Sequence, residues 1–137
     1  MQRILYISTA RGGVTQPLID DILRVSRRNN SADAVTGLLI AGGTRFLQVL
    51  EGSDLAVSRT FERIQRDPRH FAMVQLAKQT ITERSFGDWS MGFARGGGTG
   101  TGPASTAATI ASLIAPIEDP ILRGYFTGFA ELHMATP

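Results

Sequence analysis

The sequence predicts an α+β domain in which two helices connect strands of one antiparallel sheet. Three observations carry this prediction. Five segments have the apolar, β-branched pattern of strands, two segments between them repeat apolar residues every three to four positions, and a Gly-rich turn joins two strand segments. The chain has 137 residues, which suits a single hydrophobic core.

The first half of the predicted sheet contains three strands and one helix. Arg3–Thr9 is apolar on both faces, as in a strand covered on each side. A helix over Pro17–Asn30 follows, since proline is tolerated in a first helical turn. Val35–Ala41 and Arg45–Glu51 are predicted strands, and the intervening Gly42-Gly43-Thr44 is typical of a hairpin.

The second half of the domain adds one helix and two strands. Apolar spacing predicts a helix over Asp54–Asp67, which Pro68 ends. Phe71–Thr82 and Phe86–Ala94 are predicted strands. The order is therefore β-α-β-β-α-β-β, a ferredoxin-like fold with one added strand and both helices on one face of the sheet.

A composition shift divides the chain into three predicted regions. Residues 1–95 form the core domain, residues 96–104 are a Gly-rich linker, and residues 105–137 form a helical cap. The glycines fit neither a dinucleotide-binding loop nor a phosphate loop, because no Gly-Lys-Ser/Thr and no strand-turn-helix surrounds them.

The helical cap is predicted to cover the sheet face to which Leu5 and Ile7 point, while Ile4 and Tyr6 point to the other face. Asp119-Pro120 resembles the start of a helix. Two apolar stripes are expected on the tail: Ala107, Ile110, Ala111 and Ile114, then Leu122, Tyr125, Phe129 and Leu132. Two glycines of the second tail helix are predicted to allow close backbone packing: Gly124 and Gly128.

The composition excludes several chemistries. The absence of Cys excludes disulfides, cysteine-ligated metals, a cysteine nucleophile and a cysteinyl-flavin photosensor. Two His make a catalytic triad or a His-rich metal centre improbable. A formal net charge of +2 gives little support for nucleic-acid binding. With no signal peptide and no spanning segment in the pattern, we expect a cytoplasmic protein that does not enter a membrane.

Four polar residues occupy positions where the pattern expects apolar ones, and they fall on the faces between sheet and helices: Tyr6, Ser26, Asn30 and Gln48. A buried amide or phenol without partners costs about 1–3 kcal/mol. The four residues together therefore form either a core network in which each is hydrogen-bonded or a site for a planar heteroaromatic ligand with donors and acceptors on its edge. In the second interpretation Ile22 and Ile64 are the apolar walls.

Two further patterns have a structural and a functional interpretation. Trp89 and Met91, two positions apart, lie on one face of a predicted strand. They are either core residues or part of a site. A basic cluster is either a solvated helix surface or a diphosphate site: Arg63, Arg66 and Arg69, beside Asp67 and His70.

Five segments in order carry a resemblance: Leu5-Tyr6-Ile7-Ser8, Asn29-Asn30 ahead of Val35-Thr36-Gly37-Leu38-Leu39, Phe46-Leu47-Gln48-Val49-Leu50-Glu51-Gly52, Ile64 through Asp67-x-Arg69-His70, and Arg84-x-Phe86-x-x-Trp89-Ser90-Met91-Gly92. Together they resemble the BLUF domain, the blue-light sensor using FAD, over about residues 1–94. The tail is similar in position and character to the two C-terminal helices of short stand-alone members.

The resemblance implies that the isoalloxazine of FAD sits between the two helices, with FMN or riboflavin as substitutes. Tyr6 matches the photoactive tyrosine, which passes an electron and then a proton to the excited flavin. Gln48 matches the glutamine between that tyrosine and the flavin, whose amide rearranges by rotation or tautomerisation and produces a red-shifted state. Trp89 and Met91 match the pair thought to relay this change outward.

The resemblance also implies the cofactor contacts. Asn30 matches the asparagine at the C4=O/N3 edge, with Asn29 beside it. The remaining matches are the walls Ile22 and Ile64 and a segment that holds the polar edge and chain of the flavin: Arg63, Asp67, Arg69 and His70. Ser26, one of the four polar residues described above, is added to the predicted cofactor-binding set.

The resemblance implies a photosensory flavoprotein without catalysis, because the 42 residues after Arg95 cannot hold an enzymatic output domain. Its output would be a change in homo-oligomerisation, as a dimer or larger, or in binding a downstream protein. An alternative is an acylphosphatase-like enzyme on the same fold, for which Arg11-Gly12-Gly13-Val14 is the candidate phosphate loop. A nucleic-acid binder is disfavoured by the apolar second sheet face.

Overall fold

The computed structural model describes residues 1–87, 89–95 and 107–133. Within these residues it has five strands and four helices, in the predicted order of a β-α-β-β-α-β-β domain followed by two helices. They are β1 Gln2–Ala10, α1 Gln16–Asp33, β2 Thr36–Gly42, β3 Arg45–Gly52, α2 Asp54–Gln65, β4 His70–Thr80, β5 Gly92–Arg95, α3 Ala107–Ile114 and α4 Pro120–His133.

The sheet has the strand order β4-β1-β3-β2-β5. Strand β1 pairs antiparallel with β3 and β4, and β3 pairs antiparallel with β2. The short β5 is added parallel to β2. This arrangement confirms the predicted ferredoxin-like fold. It places β1 and β3 next to each other at the centre, where α1 and α2 cover them.

Local sequence signals explain the ends of both covering helices. The Thr15 side chain accepts a hydrogen bond from the Leu18 amide at the start of α1, and Ala34 ends that helix in a left-handed conformation with φ of 54°. Ser53 caps α2 by accepting from the Ala56 amide at 3.2 Å. The predicted hairpin is confirmed, and Gly43 adopts the positive φ of 59° that its turn requires.

Each face of the sheet has its own hydrophobic cluster. Ile4 and Tyr6 pack beneath α1 and α2. On the opposite face, Leu5 packs with the buried Phe126 and Phe129 of α4, and Ile7 lies against the same cluster. The predicted division of β1 between two covered faces is therefore confirmed, and the tail helices supply the second cover.

The start of α4 is as predicted, whereas its apolar stripe is partly wrong. Asp119 Oδ1 accepts from the amides of Ile121 and Leu122 at 2.8 and 3.3 Å. Burial follows Leu122, Phe126 and Phe129, spaced four and three residues apart, so the predicted Tyr125 lies to one side. Leu132 is 80% exposed.

Three further expectations for the tail have different outcomes. Ile114 is buried, whereas Ala111 is exposed. The side chains of Ala107 and Ile110 lie outside the described part. Close packing at Gly124 and Gly128 is wrong, because a Cβ atom at either position would meet nothing within 4 Å.

The predicted strand Phe86–Ala94 is wrong over most of its length. Strand β5 comprises only Gly92–Arg95. The carbonyl of Trp89 accepts from the Gly37 amide at 3.2 Å, and helix side chains bind the next two carbonyls, so no strand ladder forms there. The predicted linker, residues 96–104, lies outside the described residues. Among the helices described, none is long and apolar enough to cross a bilayer.

Candidate functional site

A cavity lies between α1 and α2, above the sheet face that carries Tyr6. Its lining contains Tyr6 and every residue that the sequence assigned to cofactor binding: Ile22, Ser26, Asn29, Asn30, Gln48, Arg63, Ile64, Asp67, Arg69 and His70. Residues from β1, α1, β3, α2, the segment before β4 and the first position of β4 are therefore brought together. Trp89 and Met91 are not part of this lining.

The floor of the cavity is formed by Tyr6 and Gln48. They are directly paired across β1 and β3, and both are 3% exposed. Facing residues on one side of a strand pair have Cβ atoms about 5 Å apart. The Phe61 ring packs edge-on against Tyr6 with a centroid distance of 5.5 Å. The phenol and the amide are thus neighbours in a dry part of the site.

Tyr6 is a neutral phenol in this environment. Burial raises its pKa far above the usual value near 10, and the negative charge of Asp67 raises it further. A proton therefore stays on the hydroxyl at neutral pH.

The amide of Gln48 has a weak partner. Its Nε2 donates to the Met91 sulfur at 3.4 Å, and Met91 is 2% exposed. A thioether is a weak acceptor, so little hydrogen-bond energy is lost when Gln48 Nε2 donates instead to an oxygen or a nitrogen. An amide with fixed donor and acceptor ends exchanges partners on both sides when it reverses.

The α1 side of the cavity supplies two more amides and an apolar wall. Asn30 is buried, and its Nδ2 donates to the Ser90 carbonyl at 2.7 Å. Asn29 and Ser26 line the cavity beside it, and Ser26 lies one turn from Ile22. Across the cavity, Ile64 of α2 forms the opposite wall.

A histidine closes the end of the cavity near β4. His70 Nε2 lies 2.6 Å from the Ile64 carbonyl, and its Nδ1 lies 2.9 Å from Ser8 Oγ. A carbonyl only accepts hydrogen bonds, so Nε2 carries a proton, and in the neutral ring Nδ1 accepts from the Ser8 hydroxyl. His70 thereby joins β1 to the end of α2.

Arg69 is held by two carboxylates. Its guanidinium donates to both oxygens of Asp67 and reaches Asp21 on α1 at 2.5 Å. Hydrogen bonds from Arg69 hold the pKa of Asp67 below its usual range. The pKa of Asp21 is lowered by its hydrogen bond to Arg24 and further by Arg69. This network joins α1 to the segment between α2 and β4.

The predicted basic cluster is only partly at the cavity. Arg63 and Arg69 line it, whereas Arg66 does not. The side chain of Arg63 is 48% exposed, and its guanidinium lies 3.6 Å from Asp33. Of the two lining arginines, Arg63 is therefore the more accessible to a ligand, because the guanidinium of Arg69 is hydrogen-bonded to the carboxylates of Asp67 and Asp21.

Five lining residues were not predicted as site residues: Ser8, Val25, Leu39, Phe46 and Thr60. Strand alternation could have found Ser8 and Phe46, which lie two positions from Tyr6 and Gln48. Thr60 precedes Ile64 by one helical turn. Asp21, the α1 partner of Arg69, gives no signal in the sequence because its partner is 48 residues away.

The expectation that Trp89 and Met91 share one face is wrong. Met91 belongs to the cluster beneath α1 and α2, whereas Trp89 packs on the tail-facing cluster and stacks on Phe86 at 5.7 Å. The segment is not a strand, so alternation does not apply. Gly92 permits this position of Trp89, since a Cβ atom there would lie 2.8 Å from the indole ring.

The side chains present fit a planar heteroaromatic group. Apolar walls from two helices suit the two faces of a ring, and buried amides and a phenol suit polar atoms on its edge. Exposed Arg63 stands where a charged chain could leave the cavity.

A family model described as BLUF, sensors of blue light using FAD, matches residues 1–92. The chain belongs to the BLUF family. FAD is the cofactor of this family, and the donor set of the cavity fits its isoalloxazine. The expectations of a BLUF photoreceptor and of FAD are thereby confirmed.

Curated relatives of this BLUF domain are light-regulated proteins. The blue light- and temperature-regulated antirepressor BluF of Escherichia coli K12 is 32% identical over 88 residues, which is 64% of this chain and 22% of that protein. Photoactivated adenylate cyclase subunit beta of Euglena gracilis is 31% identical over 93 residues, 66% of this chain and 11% of that protein. The chain thus matches about a fifth or less of these relatives.

Solved structures share the fold. BlrB, a BLUF protein in its dark state, is 34% identical with a TM-score of 0.63, over 69% of this chain and 71% of that one. BlsA in its photo-activated state is 25% identical with a TM-score of 0.70, over 99% and 98%. The BlsA match therefore extends through the tail helices.

The acylphosphatase-like alternative has no support from these comparisons. The candidate phosphate loop is also engaged elsewhere: Arg11 Nε donates to the Pro68 carbonyl, and its guanidinium lies 4.9 Å from the centre of the Phe71 ring.

Proposed function

We propose that this chain is a blue-light photoreceptor whose flavin ring lies in the cavity between α1 and α2. The observation that carries the proposal is the pairing of buried Tyr6 and Gln48 on the cavity floor. When bound, FAD supplies the absorption of blue light and an acceptor for an electron. The protein then needs to supply binding, orientation and a hydrogen-bond change.

The lining residues that the sequence assigned to cofactor binding have proposed roles toward FAD. Asn30, Asn29 and Ser26 bind the polar edge of the ring, and Ile22 and Ile64 pack on its faces. Four residues hold the polar edge and the chain: Arg63, Asp67, Arg69 and His70. Arg63 is the one assigned to the phosphates, because the guanidinium of Arg69 is engaged by Asp67 and Asp21. FMN and riboflavin are proposed substitutes, since the ring contacts do not involve the adenosine.

Tyr6 is the proposed donor. Its buried, neutral phenol would pass an electron and then its hydroxyl proton to the flavin and later take both back, and Gln48 lies beside it to respond to that change. The Gln48 amide rearranges, and its contact with the Met91 sulfur is exchanged for another partner. This leaves a new hydrogen bond at the ring edge and the red-shifted state.

The proposed output is a changed interaction with protein, and no substrate is turned over. Met91 contacts Gln48 on one face of the sheet, and Trp89, two residues earlier, packs on the cluster that contains α4. The segment between them is thus a path from the cavity to the tail. The output is a change either in the oligomeric state of the chain or in its binding to a downstream protein. The antirepressor activity named for BluF supports an output through a protein partner.

The absorption spectrum of the purified, FAD-loaded chain tests this function. Blue light should shift the flavin bands to the red, and darkness should restore them. Calorimetric titration of the flavin-free chain with FAD should show one site. A folded chain that does not bind FAD, or one that binds it without a reversible red shift, would refute the proposed function.

A further inference from the structure

Three successive backbone carbonyls between the cavity and β5 are held from outside their own segment. The Trp89 carbonyl accepts from the Gly37 amide of β2 at 3.2 Å. The Ser90 carbonyl accepts from Asn30 Nδ2 at 2.7 Å, and the Met91 carbonyl accepts from Arg27 Nε at 3.1 Å. Helix α1 therefore fixes two of the three.

Arg27 differs from the other α1 contact in one respect. Arg27 and Asn30 are three residues apart, so both project from one side of α1 toward the segment. Asn30 also lines the cavity, whereas Arg27 does not. Arg27 thus acts on the segment without touching the bound ring. Its bond is made to the residue whose sulfur contacts Gln48.

We propose that Arg27 is a positioning residue that holds Met91 against Gln48 and thereby sets the lifetime of the red-shifted state. This inference rests on the proposed function. When the Gln48 amide rearranges, Met91 loses its donor, and the Met91 backbone can move away only by weakening its bond to Arg27. Remaking that charge-assisted hydrogen bond favours the return to the original arrangement. Without it, the return should be slower.

The adjacent arginine provides a matched control. Arg28 is also exposed and carries the same charge, but it makes none of the three contacts described. Arg27→Ala should slow the dark recovery of the red-shifted state by about threefold to tenfold, as expected for the loss of one hydrogen bond of this kind. Arg28→Ala should recover within about twofold of the parent chain. Arg27→Lys, which retains a donor, should restore most of the recovery rate.

The single Trp of the chain provides a second readout, because Trp89 lies in the segment concerned. In the dark, acrylamide should quench Trp89 about twofold more strongly in Arg27→Ala than in Arg28→Ala, since the segment is held less firmly. Equal recovery rates or equal quenching in the two variants, or faster recovery in Arg27→Ala, would overturn the proposal. If the parent chain does not respond to light, the proposed function fails, whereas quenching still tests the Arg27 contact separately.

Discussion

At the residue scale, Gln48 illustrates how a weak contact makes a side chain responsive. Its position on β3, between two neighbouring strands, places it opposite Tyr6 on β1 and Leu39 on β2. The sulfur of Met91 is the acceptor of its Nε2. A buried amide held this loosely is costly for stability, yet it can change partners with little loss. This combination is expected at a switch and not in an ordinary core.

We expect Gln48→Leu to bind FAD and to lose the light-induced red shift, because leucine has a similar volume and no donor or acceptor. Gln75→Leu is the matched control, since Gln75 also faces Tyr6, from the exposed side of β4. Light-minus-dark absorption spectra of both variants check this prediction. A red shift of parental size in Gln48→Leu would contradict it.

The raised pKa of Tyr6 predicts a stability change at high pH. The unfolded phenol ionises near pH 10, whereas the folded one stays neutral beyond that, so stability is complete below pH 10 and falls as pH rises above it. Between pH 8 and pH 11 the free energy of unfolding should fall by about 1.4 kcal/mol more in the parent chain than in Tyr6→Phe. Urea unfolding at several pH values measures this. Parallel pH profiles would show that Tyr6 is not desolvated.

At the element scale, the Asp21–Arg69–Asp67 network joins α1 to the segment beyond α2 at the cavity. Asp21→Asn should speed the release of FAD by about twofold to fivefold, the range expected for a partly exposed ion pair. Asp20→Asn is the control, because Asp20 is exposed and hydrogen-bonded to Gln16 one turn earlier. Flavin fluorescence after dilution measures release. Equal release rates in the two variants would show that the network does not hold the cofactor.

Periodicity predicted most elements and failed at Phe86–Ala94 for an identifiable reason. The alternation of Trp89 and Met91 resembles a strand, but partners distant in sequence take the polar groups of this region. The Glu51 carboxylate accepts from the amides of Ser85 and Phe86 at 3.0 and 2.6 Å. No pattern within the segment predicts that its amides bind Glu51, 34 residues before Ser85.

In the candidate site, too, periodicity predicted residues on regular elements and failed where the partner is distant in sequence. Polar residues at apolar positions predicted Tyr6, Gln48 and Asn30, because strand and helix periods determine which face each side chain occupies. The Arg27 bond to the Met91 carbonyl could not be predicted. It joins a helix residue to a backbone group 64 positions later, in a segment without regular structure.

Glu51 anchors the irregular segment and is fully buried. Its carboxylate also lies 3.4 Å from Arg3, which is 6% exposed. Glu51→Gln should lower the free energy of unfolding by about 2–4 kcal/mol, because it leaves the Arg3 charge buried without its partner. Glu62→Gln, on the exposed side of α2, should change it by less than about 0.5 kcal/mol. Equilibrium urea unfolding compares them, and similar values would contradict the role given to Glu51.

At the scale of the whole molecule, one sheet separates two environments. The face with α1 and α2 carries the cavity, and the face with the tail carries Trp89. Gln79 of β4 donates to the Asp119 cap of α4 at 2.8 Å, so the tail is held by hydrogen bonding as well as by apolar packing. A change at the cavity can reach the tail only through or around this sheet. The segment from Trp89 to Met91 is the proposed route around its edge.

Tyr6 is the proposed residue through which light acts on this chain, and a comparison of the two tyrosines tests this role. The sequence has two tyrosines, Tyr6 in the site and Tyr125 on the exposed side of α4. Both Tyr6→Phe and Tyr125→Phe should retain FAD, and blue light should produce the reversible red shift in Tyr125→Phe alone. A red shift of parental size in Tyr6→Phe would contradict the account.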